Sequence, residues 1–190
     1  MTNNQPSTMI TTARLRLVPL TAPLLEAALV ADQARVSALL GSTVPTELFA
    51  KQGLYQLRLG QLRADPTLEP WLLRAVILHA TNTVIGHIGF HGGPDTAQQR
   101  DYAPGGVELG YSIFPAYRRQ GYAREAVAGM MDWATHEHGV DQFVLCISPD
   151  NAPSRRIAQH FGFQQVGTVM DEEDGPEDVF IRRVDSIVEP

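Results

Sequence analysis

The sequence predicts an α/β (α+β) domain built on one mixed sheet with helices on both faces. Apolar runs of strand length alternate with helical stretches long enough to cross over a sheet. Two pairs of strand-like runs, over residues 71–91 and 163–184, read as hairpins. No internal repeat or interdomain linker breaks the 190 residues, a length that suits one domain with a full core. Residues 10–190 therefore read as a single domain, after a disordered or extended N-terminus over residues 1–9.

In chain order, residues 14–18 alternate as a strand does. Residues 22–40 are rich in Ala and Leu and read as one or two helices, with Thr21 as N-cap and Pro23 in the first turn. Residues 41–45 break that pattern. Residues 46–64 are helical again, with Leu48, Leu54, Leu57 and Leu62 as core contacts. Pro66 and Pro70 bracket a loop. Residues 71–80 and 84–91 pair around the turn Thr81-Asn82-Thr83. A Gly- and Pro-containing loop, residues 92–106, leads to the alternating apolar run 107–114. A basic turn and an amphipathic helix to residue 138 follow, then a strand at 142–148. Pro153 suits the first turn of a helix reaching residue 161. Residues 163–170 and 179–184 close the chain as a hairpin around an acidic loop, 171–178.

Composition narrows the function. Hydrophobic content is 44% and charged content 19%, as in a soluble globular chain. The net charge of −6 argues against general nucleic-acid or anionic-membrane binding and is compatible with a cationic amine substrate. The single cysteine, Cys146, sits in an apolar run and reads as a buried structural thiol. No apolar stretch approaches the about 20 residues of a membrane span. Residues 1–7 are polar, without the core of a signal peptide. Together these predict a cytoplasmic protein.

Against the acidic background, one stretch stands out: Pro115-Ala116-Tyr117-Arg118-Arg119-Gln120-Gly121-Tyr122-Ala123-Arg124-Glu125-Ala126. It joins a strand to a helix start. The first N–H groups of a helix lack intrahelical partners, and the helix dipole favours an anion there. Gly121 and Ala123 keep side chains clear, while Arg118, Arg119 and Arg124 add positive charge. The stretch reads as a pyrophosphate cradle, with a solvated basic turn as the plainer alternative. It is neither a P-loop nor a dinucleotide fingerprint; neither pattern occurs, and Lys51 is the only lysine.

Arg118-x-x-Gly121-x-Ala123 resembles the [QR]-x-x-G-x-[GA] signature of the GNAT superfamily of acetyl-CoA-dependent N-acetyltransferases. Thr12-Ala13-Arg14-Leu15-Arg16-Leu17-Val18-Pro19-Leu20 resembles the opening strand of its RimJ/RimL-like branch. Residues 107–114 are similar to that branch's fourth strand, and Asn151-Ala152-Pro153-Ser154-Arg155-Arg156-Ile157 with Phe161-Gly162-Phe163 to its N-x-x-S-x-R…G-F block. The matches run in order over residues 12–170. The resemblance implies a mostly antiparallel central sheet, acetyl-CoA as cosubstrate, no metal, and an amine acceptor: a protein N-terminus or a small-molecule amine. The helical region between the first two strands would form one wall of the acceptor site. A homodimer is compatible, and the oligomeric state stays open.

The resemblance also implies roles. Many members place a carboxylate ten residues before the signature arginine, which here is Glu108, the general base. Alternation puts Glu108, Gly110, Ser112 and Phe114 on one strand face. A carboxylate in a mostly apolar strand invites a raised pKa, which suits a base near neutral pH. A carboxylate held for structure is the alternative. Backbone groups of Ile113 and Phe114 would pair with the pantetheine arm, because the family splays this strand from the next. Arg118, Arg119, Gln120, Gly121, Tyr122 and Ala123 would hold the pyrophosphate. Asn151 would contact coenzyme A, and Ser154 would act near the thiol as acid or orienter. Each also reads as part of a helix start, Asn151 being a good N-cap. Many members carry a tyrosine acid seven residues after the asparagine, where this chain has Ala158.

Four histidines have plainer readings. His136 and His138 suit a helix C-terminus. His87 and His91 share a strand face without the neighbours a metal needs, and His91 has a second reading in the acceptor pocket. Tyr111 and Phe90 read as core. The acidic run Asp171-Glu172-Glu173-Asp174 is a solvated hairpin loop or a guide for a cationic substrate. The leading function is direct acetyl transfer to a primary amine. The alternative is a non-catalytic acyl-CoA-binding sensor or interaction module.

Overall fold

In the computed structural model, which describes residues 9–94, 103–171 and 175–184, the chain divides into two units. One comprises Met1–Phe90 with Tyr111–Met130, the other His91–Gly110 with Met131–Pro190. The N-terminal residues 1–8, much of the predicted loop 92–106, and residues 172–174 of the acidic run lie outside the described residues.

The first unit opens with strands β1 (Ile10–Thr11) and β2 (Leu15–Pro19) and helices α1 (Ala22–Leu29) and α2 (Gln33–Leu40). Two helices form because Ala31 takes a left-handed φ of 52° and Asp32 then caps α2, accepting from the Arg35 N–H at 3.0 Å. Gly41, at φ 59°, ends α2. The expected continuous helix over 46–64 is instead a 3-10 turn, Thr46–Ala50, followed by α3 (Gln52–Ala64). Lys51, at φ −109° and ψ 51°, separates them. The buried stripe of α3 is Tyr55, Arg58, Leu59 and Leu62. Leu57 lies on the opposite side of the helix and is 56% exposed, so it is not a core contact.

Strands β3 (Arg74–Leu78) and β4 (Thr83–Phe90) complete the predicted hairpin. β2, β3 and β4 pair antiparallel. Val76 faces Gly86 while Ile77 faces Val84, so Ile85 is an extra residue on β4. The core of this unit packs Leu24, Leu25, Tyr55 and Leu59 against Ala75, Ile77 and Phe114. Strand β5 (Val107–Ile113) and helix α4 (Tyr122–His138) contribute residues to both units. A Cβ on Gly86 would stand 2.2 Å from the Ser112 carbonyl oxygen, so β4 passes this end of β5 at a distance only glycine permits.

The second unit adds β6 (Gln142–Ile147), α5 (Ala152–His160), β7 (Gln164–Asp171) and β8 (Gly175–Arg183). Its strands run in the order β5-β6-β8-β7. β6–β8 and β7–β8 are antiparallel; β5–β6 is parallel. The fold is thus mixed α/β with mostly antiparallel strands. The parallel ladder has two register pairs, Val107↔Phe143 and Glu108↔Val144. The predicted loop over 171–178 is shorter than expected, because Asp171 already pairs with Gly175. Asp178 lies within β8 and accepts from Arg155 at 2.5 Å and from Thr168 at 3.0 Å. Cys146 is half-buried rather than buried, against Val144, Val179 and Ile181.

Candidate active site

The basic turn forms by a sequence of fixed dihedrals. Pro115–Tyr117 is a 3-10 turn that ends β5. Arg118 is extended, at φ −71° and ψ 162°. Arg119 and Gly121 then take left-handed φ values of 60° and 85°. A left-handed non-glycine residue costs about 1–2 kcal/mol, and such strain concentrates at ligand clamps. Gly121 bears the larger angle without that cost. Left-handed φ values at Arg119 and Gly121, just before α4, are backbone of the type that can turn successive N–H groups toward an anion.

Arg118, Arg119 and Arg124 are exposed. The Arg118 Nε folds back to donate to the Ile113 carbonyl at 2.8 Å, tying the turn to the strand end. The Gln120 side chain donates to the Ala116 carbonyl at 3.4 Å. Arg14 reaches the same turn: its Nη1 donates to the Gln120 carbonyl at 3.1 Å and its guanidinium stacks over Tyr122 at 4.6 Å. Nothing in the local spacing of residues 115–126 points to Arg14. Its signal in the sequence is the Thr12–Leu20 stretch, whose resemblance marks an opening strand and not a site.

Phe114 corrects one expectation. Its N–H donates to the Ile85 carbonyl at 2.8 Å and its carbonyl accepts from the Tyr117 N–H at 2.9 Å. Its side chain is core. Both backbone groups are engaged inside the fold, so Phe114 is not a free edge for a pantetheine arm. Alternation along the strand directs the N–H and C=O of Ile113 to the other edge of β5.

In the second unit, Glu108 is buried at 7% exposure. Its Oε1 stands 3.1 Å from Nδ1 of His91. The His91 N–H donates to the Glu108 carbonyl at 2.9 Å, so backbone pairing sets the two side chains together. His91 is the more accessible partner, 39% against 9% for the side chains. A Cβ on Gly110 would meet His91 Nε2 at 2.8 Å, so the imidazole lies along the strand face carrying Glu108 and Gly110. That agrees with the predicted alternation. The pairing of His91 with Glu108 was not foreseen, because the two are seventeen residues apart and meet only through strand pairing.

Asn151 caps α5, its Oδ1 accepting from the Ser154 N–H at 3.2 Å. Asn151 is exposed and Ser154 half-exposed. Ala158 is fully buried on α5. The imidazole Nδ1 of His136 lies 2.7 Å from the Asp132 carbonyl, and His138 packs edge-on to Trp133. Among the described residues, no group of three or more His, Cys, Asp or Glu is placed to hold a metal. No described helix is long and apolar enough to cross a membrane.

Comparison with known proteins gives a family match. The family described as "Acetyltransferase (GNAT) domain" matches residues 14–164. The uncharacterized N-acetyltransferase YnaD of Bacillus subtilis (strain 168) is 27% identical over 92 residues, which is 48% of this chain. That match spans 49%, or about half, of YnaD's length. The uncharacterized N-acetyltransferase YjdG of the same organism is 24% identical over 159 residues, 82% of this chain and 89% of that protein. Among solved structures, RimL, a ribosomal L7/L12 α-N-protein acetyltransferase in complex with coenzyme A, superposes with a TM-score of 0.61. It is 15% identical, over 94% of this chain and 99% of that one, a likeness of fold.

Proposed function

Because the chain belongs to the GNAT acetyltransferase domain family, we propose that it transfers the acetyl group of acetyl-CoA directly to a primary amine, with Glu108 as general base. The observation that carries the reading is the buried Glu108 carboxylate, held beside His91 on the strand that leads into the basic turn. Two features of the turn support the cosubstrate: Gly121 adds no Cβ at its left-handed position, and Arg118, Arg119 and Arg124, in and beside the turn, are exposed.

Acetyl-CoA supplies the acetyl group as a reactive thioester. The backbone of Arg119, Gln120, Gly121, Tyr122 and Ala123, with the Arg118 and Arg119 side chains, holds its pyrophosphate. The outward N–H of Ile113 is the donor for the thioester side of the arm. Asn151 and Ser154 at the start of α5 contact coenzyme A near the thiol. Glu108 takes a proton from the amine as nitrogen attacks the carbonyl carbon. The C–N bond forms, the C–S bond breaks, and the thiolate takes a proton from solvent, directly or relayed through the Ser154 hydroxyl. Alignment of the two reactants can supply roughly 7–11 kcal/mol and the base a further 10²–10⁴-fold. His91 orients the carboxylate. The acceptor class is a protein N-terminus or a small-molecule amine; the RimL likeness and the net charge of −6 support an amine.

Calorimetric titration with acetyl-CoA tests the cradle. The parent should bind and Arg119→Glu should not; absence of binding by the parent removes the transferase reading. One observation favours a second reading, a non-catalytic acyl-CoA sensor: Ala158 is buried at the position where the family resemblance implies a tyrosine acid. Turnover with any amine, abolished in Glu108→Gln, excludes it.

A further inference from the structure

The Thr12–Arg14 segment is fastened to the basic turn through one carboxylate. The Thr12 hydroxyl donates to Glu125 Oε1 at 2.7 Å. The Arg14 N–H donates to the same oxygen at 2.7 Å. Arg14 Nε donates to Oε2 at 2.6 Å. Glu125 lies in the first turn of α4 with its side chain only 16% exposed. Burial pushes its carboxyl up, but the Thr12 hydroxyl and the Arg14 amide and guanidinium together hold it below the usual carboxylate range.

A carboxylate at this position has an electrostatic consequence. The N-terminal end of a helix attracts negative charge, so Glu125 competes for the field that would draw a phosphate to the turn. Arg14 cancels that charge at contact distance. It also takes the Gln120 carbonyl. In a trans peptide the carbonyl and the following N–H point in opposite directions. Fixing the Gln120 oxygen toward Arg14 therefore aims the Gly121 N–H away from Arg14. The third nitrogen, Nη2, stands 3.3 Å from where a Cβ on Gly121 would be.

We propose that Arg14 is a phosphate-positioning residue: it neutralises Glu125 and sets the Gln120–Gly121 peptide. The inference rests on the reading of the turn as the acetyl-CoA pyrophosphate site. It gives the Thr12-x-Arg14 pattern a purpose beyond opening a strand.

Acetyl-CoA titrations of the parent, Arg14→Ala, Glu125→Gln and the double variant test it. Arg14→Ala should weaken binding roughly tenfold, because it uncovers the Glu125 charge at the helix start and frees the Gln120–Gly121 peptide. Glu125→Gln should bind at least as tightly as the parent, and the double variant should recover several-fold of the loss. A structural role alone predicts a double variant as weak as Arg14→Ala or weaker, and that result overturns the proposal. So does parent-like binding by Arg14→Ala. If Arg14→Ala does not fold, Arg14→Lys keeps the charge and loses the fork; it should bind several-fold more weakly, and unchanged binding overturns the proposal. A parent that binds no acetyl-CoA overturns the site reading itself, and this inference with it.

Discussion

The Glu108 carboxylate meets the His91 imidazole, Oε1 to Nδ1 at 3.1 Å, with the two backbones paired at the same point. A buried carboxylate oriented by an imidazole is suited to take a proton from an amine. Glu108→Gln keeps the shape and removes the base. Its kcat should fall about 10²–10⁴-fold while acetyl-CoA binds as before. Steady-state rates with an amine the parent accepts, set beside calorimetry, check both halves. A rate within a few-fold of the parent at every pH would mean that Glu108 is not the base.

Gly110 has the complementary role of leaving space for the ring. Alanine there would put a Cβ 2.8 Å from His91 Nε2. The ring is a rotatable side chain, so it should swing away and the backbone should stay. Gly110→Ala should fold normally and lose roughly 10- to 100-fold in kcat through misplacement of the carboxylate's partner. His91→Ala should lose a similar factor, and the two together little more, because they act on one contact. Fully additive losses would show that Gly110 acts through something other than His91.

How legible this site was in the sequence depends on range. The strand pairs over 71–91 and 163–184, and the strand–turn–helix around Gly121, could be read because each is written in adjacent residues. The strand face shared by Glu108 and Gly110 followed from alternation alone. The split at Ala31 and the break at Lys51 were hidden, since neither residue type signals its backbone angles. Phe114 looked like an open edge because its bond to the Ile85 carbonyl joins segments distant in the chain. Arg14 and Glu125 are far apart in the chain and meet only through tertiary packing. Local chemistry was visible; contacts between distant segments were not.

The left-handed pair in the turn separates stability from binding. Gly121 has φ 85°, and a Cβ there would stand 3.3 Å from Arg14 Nη2. Gly121→Ala should cost about 1–2 kcal/mol of stability and weaken acetyl-CoA binding. Arg119→Asn should behave differently, because asparagine tolerates the left-handed region that Arg119 occupies at φ 60°. It should keep the parent's Tm yet bind acetyl-CoA more weakly for want of the charge. Thermal melts with and without acetyl-CoA distinguish the two; equal stability losses would remove the strain argument.

His87 sets an acid limit on stability that is independent of catalysis. It lies in β4 at 6% exposure, and its Nδ1 has no hydrogen-bond partner among the described residues. Burial, with the nearby Lys51 charge adding, pushes its pKa down to about 4 from 6.5. Between those values the unfolded chain binds a proton that the folded chain does not. Stability is therefore full above pH 6.5 and is lost as pH falls toward 4. Moving from pH 7.5 to pH 5 should cost on the order of 2 kcal/mol from this residue. His87→Leu removes both the titration and the orphaned nitrogen, so it should flatten that slope and add about 1–3 kcal/mol at neutral pH. Urea midpoints of the two proteins at pH 7.5 and pH 5 check it. Equal losses on acidification would mean that His87 takes up its proton in the folded chain as readily as in the unfolded one, and the burial argument would fail.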